Sequence, residues 1–354
     1  MAVFDIEEGS GECMSYRLSE LSLAQFPHLL DDVLNINDWE EKRARILRTW
    51  EQWIGWMPEP VPVVYTIHSE NRESDHTRVH LSYESGFGDL VSAFLLIPDG
   101  IADERRPAML ALHPTDPKGK SDVATSEGRE NRRYALDLVS RGYVVLAPDT
   151  ITAGERIYEG AEAFQTAPFY TQFPESTAVG KMIHDHQQGI ELLLSLPYVD
   201  SDRIGAIGHS LGAYNAYFLA AMDARVKAVV SSCGLCPFTG DVNPNRWGQR
   251  DWFSHIPKLT AEILEDRVPF EFHEIMALVA PRPLFNWFTQ NDAIFPNWQA
   301  AAYASKDIDA LYRLLGYKEY YLSLLGNDGH DFPASISEMS YQYLDRWIMR
   351  EDGL

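Results

Sequence analysis

The sequence predicts an α/β fold: a mostly parallel central sheet with helices on both faces. A helical N-terminal extension (1–60) precedes a larger main domain (61–354), and an insertion (237–270) follows the strand at 226–230. Three observations carry this. From residue 143 onward, apolar runs of strand length alternate with helical segments, the pattern of repeated β-α-β units. Those runs are apolar throughout, as strands covered on both faces must be. The strands that read as antiparallel come first, before the alternation begins.

Each element has its own signal. Leu18, Leu21, Leu23, Phe26, Leu29, Leu30 and Val33 recur at roughly helical spacing, although Pro27 should break or restart that helix. An Asn37-Asp38 start leads through Trp39, Ile46, Leu47, Trp50 and Ile54 to Gly55, a second helix. Runs at 63–67, 78–83 and 90–97 read as strands, with Gly86 and Gly88 marking the turn between the last two. A strand at 107–113 ends at Pro114, and a polar loop follows it. The expected order then runs helix 131–141, strand 143–149, helix 179–196, strand 204–207, helix 211–222 and strand 226–230. After the insertion come helix 272–279, strand 283–288, helix 298–315, strand 320–325 and helix 334–349. Right-handed crossovers are expected throughout.

Composition narrows the function classes. The 354 residues are 45% hydrophobic and 23% charged, and the net charge is −22. That charge argues against a nucleic-acid partner and against docking on anionic membranes. No window approaches a membrane span, and the first residues carry no signal-peptide pattern. Three cysteines, Cys13, Cys233 and Cys236, suit a reducing compartment, so a cytoplasmic protein is expected. Cys233 and Cys236 form a lone CxxC, read as two buried or pocket thiols. No metal site and no cofactor are inferred.

The chemistry concentrates after strand ends. Gly208-His209-Ser210-Leu211-Gly212 follows the strand at 204–207 and opens a helix. Small residues two positions either side let backbone segments cross closely, and the turn lifts the Ser210 hydroxyl above the sheet edge. A serine hydroxyl needs a base, and the base needs an acid to orient it. Asp292 follows the strand at 283–288, and His330 follows the strand at 320–325. The chain order is Ser, then Asp, then His. Rival acids are Asp149, Asp328 and Asp331; His113, His209, His255 and His273 are the rival bases. An oxyanion would be held by the backbone N–H of Leu211 and by that of Thr115, because Pro114 has none to give. His113 shapes that loop. Residues 237–270 overhang the nucleophile, so Arg246, Trp247 and Trp252, with His113 and His209, are expected to touch substrate. His255 and His273 could also reach it.

These residues resemble the α/β-hydrolase superfamily, over roughly residues 75–350. The resemblance rests on Gly208–Gly212, on Asn291-Asp292 and on Gly329-His330-Asp331-Phe332. Within the superfamily the chain is most similar to the branch of dienelactone-hydrolase-like and acetylxylan-esterase-like enzymes. The resemblance implies Ser210 as nucleophile, Asp292 as acid and His330 as base. Dienelactone hydrolases themselves use a cysteine where this chain has Ser210. The expected activity is hydrolysis of a small carboxylic ester, with a short acyl group and a sugar as alcohol. The alternatives are amide, lactone or C–C hydrolysis on the same fold, or a non-catalytic ligand-binding protein. A homodimer is the default on base rates alone.

Overall fold

The computed structural model describes residues 15–101 and 105–349, so Cys13 lies outside the described residues. In chain order the elements begin β1 (Tyr16–Arg17), α1 (Ile36–Ile54), β2 (Tyr65–Arg72), β3 (His76–Glu84), β4 (Leu90–Pro98) and β5 (Arg106–Leu112). They continue with α2 (Ser121–Ala124), α3 (Tyr134–Ser140), β6 (Val144–Pro148), α4 (Ala167–Gln172), α5 (Ala178–Ser195) and β7 (Val199–His209). Next come α6 (Leu211–Met222), β8 (Val226–Ser232), α7 (Leu259–Leu264), β9 (Arg267–Val268) and α8 (Phe272–Ala277). The chain closes with β10 (Leu284–Thr289), α9 (Trp298–Leu314), β11 (Tyr321–Gly326) and α10 (Ala334–Leu344).

Nine strands form one sheet in the order β11-β10-β8-β7-β5-β6-β4-β3-β2. From β11 to β6 all neighbours are parallel. The early strands β4, β3 and β2 add on antiparallel at one edge. Alternation along the central strands splits the core in two. Leu110, Leu112, Leu146 and Val229 face one side with α1, α5, α6, α8 and α9. Met109, Ala111, Val145, Ala147, Ala228 and Val230 face the other, against α3 and α10. This is the period of two that a pleated strand imposes.

Helix α6 behind the Gly-x-Ser-x-Gly turn is buried on nearly every face, because α5 and α8 flank it and Trp50 of α1 covers it. Trp50 of α1 packs on Phe218 of α6 with ring centroids 4.7 Å apart, and edge-on to Phe270 at 5.3 Å. Helix α1 begins at Ile36, one residue before the Asn37 start read from the sequence. Asn35 is its N-cap, and Asp38 returns a bond to the Asn35 backbone, a reciprocal capping box.

The helix expected over 18–33 does not form. Phe26, Leu29 and Val33 are buried at the spacing read from the sequence, but through successive turns. Pro27 denies the helix a donor. The His28 and Asp31 carbonyls are bonded to Lys42 Nζ at 2.8 and 3.2 Å, and Leu29 N–H donates to Asp307. Apolar spacing survived there while the backbone bonds went elsewhere. The 237–270 insertion contains α7 and β9. Strand β9 pairs antiparallel with β1, tying the start of the described chain to the segment that overhangs the sheet. Among the described residues no helix is long and apolar enough to cross a membrane.

Candidate active site

Ser210 sits where β7 turns into α6, at φ 54° and ψ −117°. A non-glycine residue pays strain to hold a positive φ, so the surroundings must enforce it. They do: Ser210 N–H donates to the Ser232 carbonyl of β8 at 2.8 Å, and the Ser210 carbonyl accepts from Ala213 N–H at 2.9 Å. Both flanking glycines are required by space. A Cβ on Gly212 would lie 1.8 Å from the Leu112 carbonyl oxygen at the end of β5. One on Gly208 would lie 2.2 Å from the Gly212 carbonyl carbon. The helix start is thus pressed onto the end of the neighbouring strand.

The strand-end loops after β10 and β11 bring Asp292 and His330 together. His330 Nδ1–H donates to Asp292 Oδ2 at 2.6 Å. With the proton on Nδ1, Nε2 is left as the acceptor. Among the described residues it has no hydrogen-bond partner. Asp292 Oδ1 accepts from the Ile294 and Phe295 amides at 2.7 and 2.9 Å, which fixes the carboxylate. The His330 loop is clamped in turn. Trp287 Nε1 and Cys233 Sγ both donate to the Asp331 carbonyl, at 3.0 and 3.4 Å. The Asp331 carboxylate takes Arg132 and Asn131, each at 2.6 Å. Asp331 is therefore occupied away from His330, and Asp149 is bonded to Lys120 Nζ at 2.7 Å. Neither of these two serves His330, and the third rival, Asp328, is displaced by Asp292, which holds Nδ1.

Ser210 and His330 line one cavity of about 370 Å³. Its walls also include Thr115, His209, Arg246, Trp247 and Trp252, which the sequence singled out. Leu211 is the first residue of α6, where an amide has no intrahelical acceptor, and Thr115 borders the cavity from the loop after β5. No hydrogen bond joins Ser210 Oγ to His330 Nε2 here; such bonds commonly tighten only in the substrate complex. His209 points its Nδ1 at Ser232 Oγ, 2.9 Å away, and burial holds its pKa well below the ordinary value.

His113 is a correction. It is fully buried and does not line the cavity, so it cannot bind substrate there. Its Nε2 accepts from Thr150 N–H at 3.0 Å, and its Nδ1–H donates to the Pro114 carbonyl at 2.7 Å. Burial lowers its pKa. It braces the turn that leads into Thr115. His273 is also removed from the cavity, bonded to the Pro27 carbonyl at 2.9 Å. His255 does line it, with Nε2 against the Tyr214 hydroxyl at 2.7 Å.

Arg129, Arg132, Tyr214, Ile294 and Phe295 also line the cavity wall and were missed in the sequence; Arg250, inside the overhanging segment 237–270, lines it too. The run Arg129-Glu130-Asn131-Arg132-Arg133 was the available signal, a basic cluster where the polar loop meets the helix expected from 131. Cys233 and Cys236 are both free and buried. Ligand atoms of Cys233, Asp292 and His330 lie within 4.8 Å of one another. Two of the three are already bonded together, and burial pushes the Cys233 thiol up, so it stays protonated. That donor set reads as a hydrogen-bonded support for His330.

A serine on a tight strand-to-helix turn, over a mostly parallel sheet, defines this chain as an α/β-hydrolase-fold protein. Residues 126–251 match the dienelactone hydrolase family. The matched segment holds Ser210 and the arginine-bearing loops and stops short of Asp292 and His330. The protein YtaP of Bacillus subtilis (strain 168) is 25% identical over 318 residues, covering 87% of this chain and 99% of YtaP. Among solved structures, a glucuronoyl esterase from Solibacter usitatus superposes with a TM-score of 0.69 at 18% identity. It covers 92% of this chain and 98% of its own. Acetyl xylan esterase 1 from Thermoanaerobacterium sp. JW/SL YS485 gives a TM-score of 0.53 at 15% identity, over 86% and 93% of the two chains.

Proposed function

We propose that the protein is a serine hydrolase of carboxylic esters, working through Ser210, His330 and Asp292. The observation that carries this is the Asp292–His330 pair, with Nε2 left as a free acceptor, on the same cavity as a serine held at positive φ. His330 Nε2 takes the Ser210 proton as Oγ attacks the ester carbonyl. The Leu211 and Thr115 amides receive the negative charge that develops on the carbonyl oxygen. His330 then returns the proton to the leaving alcohol, and water cleaves the acyl-enzyme by the same route. Asp292 keeps the proton on Nδ1 and stabilises the imidazolium. The names of the structural neighbours, a glucuronoyl esterase and an acetyl xylan esterase, support an ester of a carbohydrate, and the cavity's tryptophans suit a sugar face.

The test is hydrolysis of p-nitrophenyl acetate by the wild type and by Asp292→Asn. Asparagine can donate to Nδ1, which favours the wrong imidazole tautomer. The expected loss is about 10³- to 10⁴-fold in kcat, with little change in KM. Wild-type turnover that Asp292→Asn retains within tenfold contradicts the assignment of the acid.

A further inference from the structure

Four arginines line the cavity and no carboxylate does, in a chain whose net charge is −22. Three of the four are neutralised within the fold. Arg129 pairs with Asp122 at 2.6 Å, Arg132 with Asp331 at 2.6 Å, and Arg246 with Asp241 at 2.7 Å. Arg250 differs. Its Nε and Nη2 both donate to the Phe253 carbonyl, at 3.0 and 2.6 Å, and its guanidinium lies 5.2 Å from the centroid of the Trp252 ring. Among the described residues it has no carboxylate partner, and Nη1 has no hydrogen-bond partner. Burial draws its pKa down from the ordinary arginine value.

A partly buried cation with no counter-charge is costly, and the surroundings of Arg250 hold it in one orientation all the same. The Phe253 carbonyl fixes two of its nitrogens, which leaves Nη1 for a ligand. The same residue borders a second groove of about 560 Å³ lined by Tyr170, Gln249 and Ser254. A group seated on Arg250 therefore has room to continue beyond the catalytic cavity.

We propose that Arg250 binds a carboxylate carried by the substrate, so that the preferred substrates are anionic esters. This rests on the ester-hydrolase reading above and narrows it to a substrate class. Guanidinium and carboxylate form charge-assisted hydrogen bonds, and a neutral ester leaves the cation uncompensated.

Two matched pairs of esters test it. 4-Acetoxybenzoate and 4-acetoxybenzamide place a carboxylate or its neutral isostere on the alcohol side. Mono-(4-nitrophenyl) glutarate and 4-nitrophenyl 4-carbamoylbutanoate do so on the acyl side. The readout is the ratio of kcat/KM, carboxylate over carboxamide, in wild type and in Arg250→Gln. Dividing one ratio by the other cancels the intrinsic reactivity of the esters. For at least one pair the wild-type ratio is expected to exceed the variant's about tenfold, with Arg250→Lys between them. Equal ratios in both proteins for both pairs, with esters still turned over, overturn the anion site and leave the esterase reading standing. Absence of turnover of all four overturns the esterase reading instead. The anion site is then read from Ser210→Ala protein, titrated with 4-acetoxybenzoate and 4-acetoxybenzamide by tryptophan fluorescence. Tighter binding of the carboxylate supports the site, and equal binding overturns it; this arm also decides the question if Arg250→Gln fails to fold.

Discussion

Ser210→Ala is expected to fold as the wild type does and to lose about 10⁴-fold or more of ester turnover. The two halves of that expectation have separate causes. Alanine carries the same Cβ that serine already holds at φ 54°, so the backbone strain of the turn is unchanged. The bonds that hold the turn are backbone ones, from Ser210 N–H to the Ser232 carbonyl and from Ala213 N–H to the Ser210 carbonyl, and neither needs the hydroxyl. What disappears is the nucleophile, and with it the covalent route. Ser210→Gly should be equally inactive and should melt at a higher temperature, because glycine relieves a conformation that costs about 1–3 kcal/mol. Activity in Ser210→Ala within tenfold of wild type would mean that another group attacks the ester.

Gly212→Ala is expected to do the reverse, destroying structure while leaving every catalytic side chain in the sequence. The added Cβ would sit 1.8 Å from the Leu112 carbonyl oxygen and 3.0 Å from that of His113. Both are backbone atoms at the end of a buried central strand, so no side chain can swing aside. Helix α6 would have to lift off β5, carrying Leu211 and Ser210 away from the loop at Thr115. The α6 side chains are packed between the sheet and helices α5 and α8, with Trp50 of α1 on Phe218, so lifting also opens the core there. A loss of about 3 kcal/mol or more is expected, read as a low yield of soluble protein or a much reduced Tm. Gly329→Ala is the control for folding, since a Cβ there meets no atom within 4 Å. Wild-type stability in Gly212→Ala would contradict the close packing of α6 on β5.

Much of this architecture was legible because it is written in local patterns. The helix at 211–222 begins and ends where the sequence places it, bounded by Ser210 and by Asp223. Ser210 was singled out by its Gly-x-Ser-x-Gly turn, and Asp292 and His330 by the strands they follow, since a parallel sheet delivers its strand-end loops to one edge. What escaped was long-range. The two-residue pairing of β1 with β9 has no periodicity to read. Arg132 reaches the cavity wall through Asp331, 199 residues away in the chain, and nothing near Arg132 announces that partner. His113 was placed at the right strand end but assigned the wrong contacts. Its ring lies inward between Thr150 and the Pro114 carbonyl, a choice that depends on burial of a neighbouring loop. The turns at 18–33 failed for a related reason: the Lys42 ammonium and the Asp307 carboxylate took the backbone groups that a helix would have used.

Fluorophosphonate labelling, with the modified residue mapped by mass spectrometry, asks whether Ser210 is an activated nucleophile. The reagent reports whether Oγ, His330 and the oxyanion donors act together, without any assumption about the natural ester. If Ser210 is activated, one phosphonylated residue, Ser210, is expected, with labelling suppressed in Asp292→Asn. An unlabelled protein, or a label on any other residue, would contradict the proposed role of Ser210.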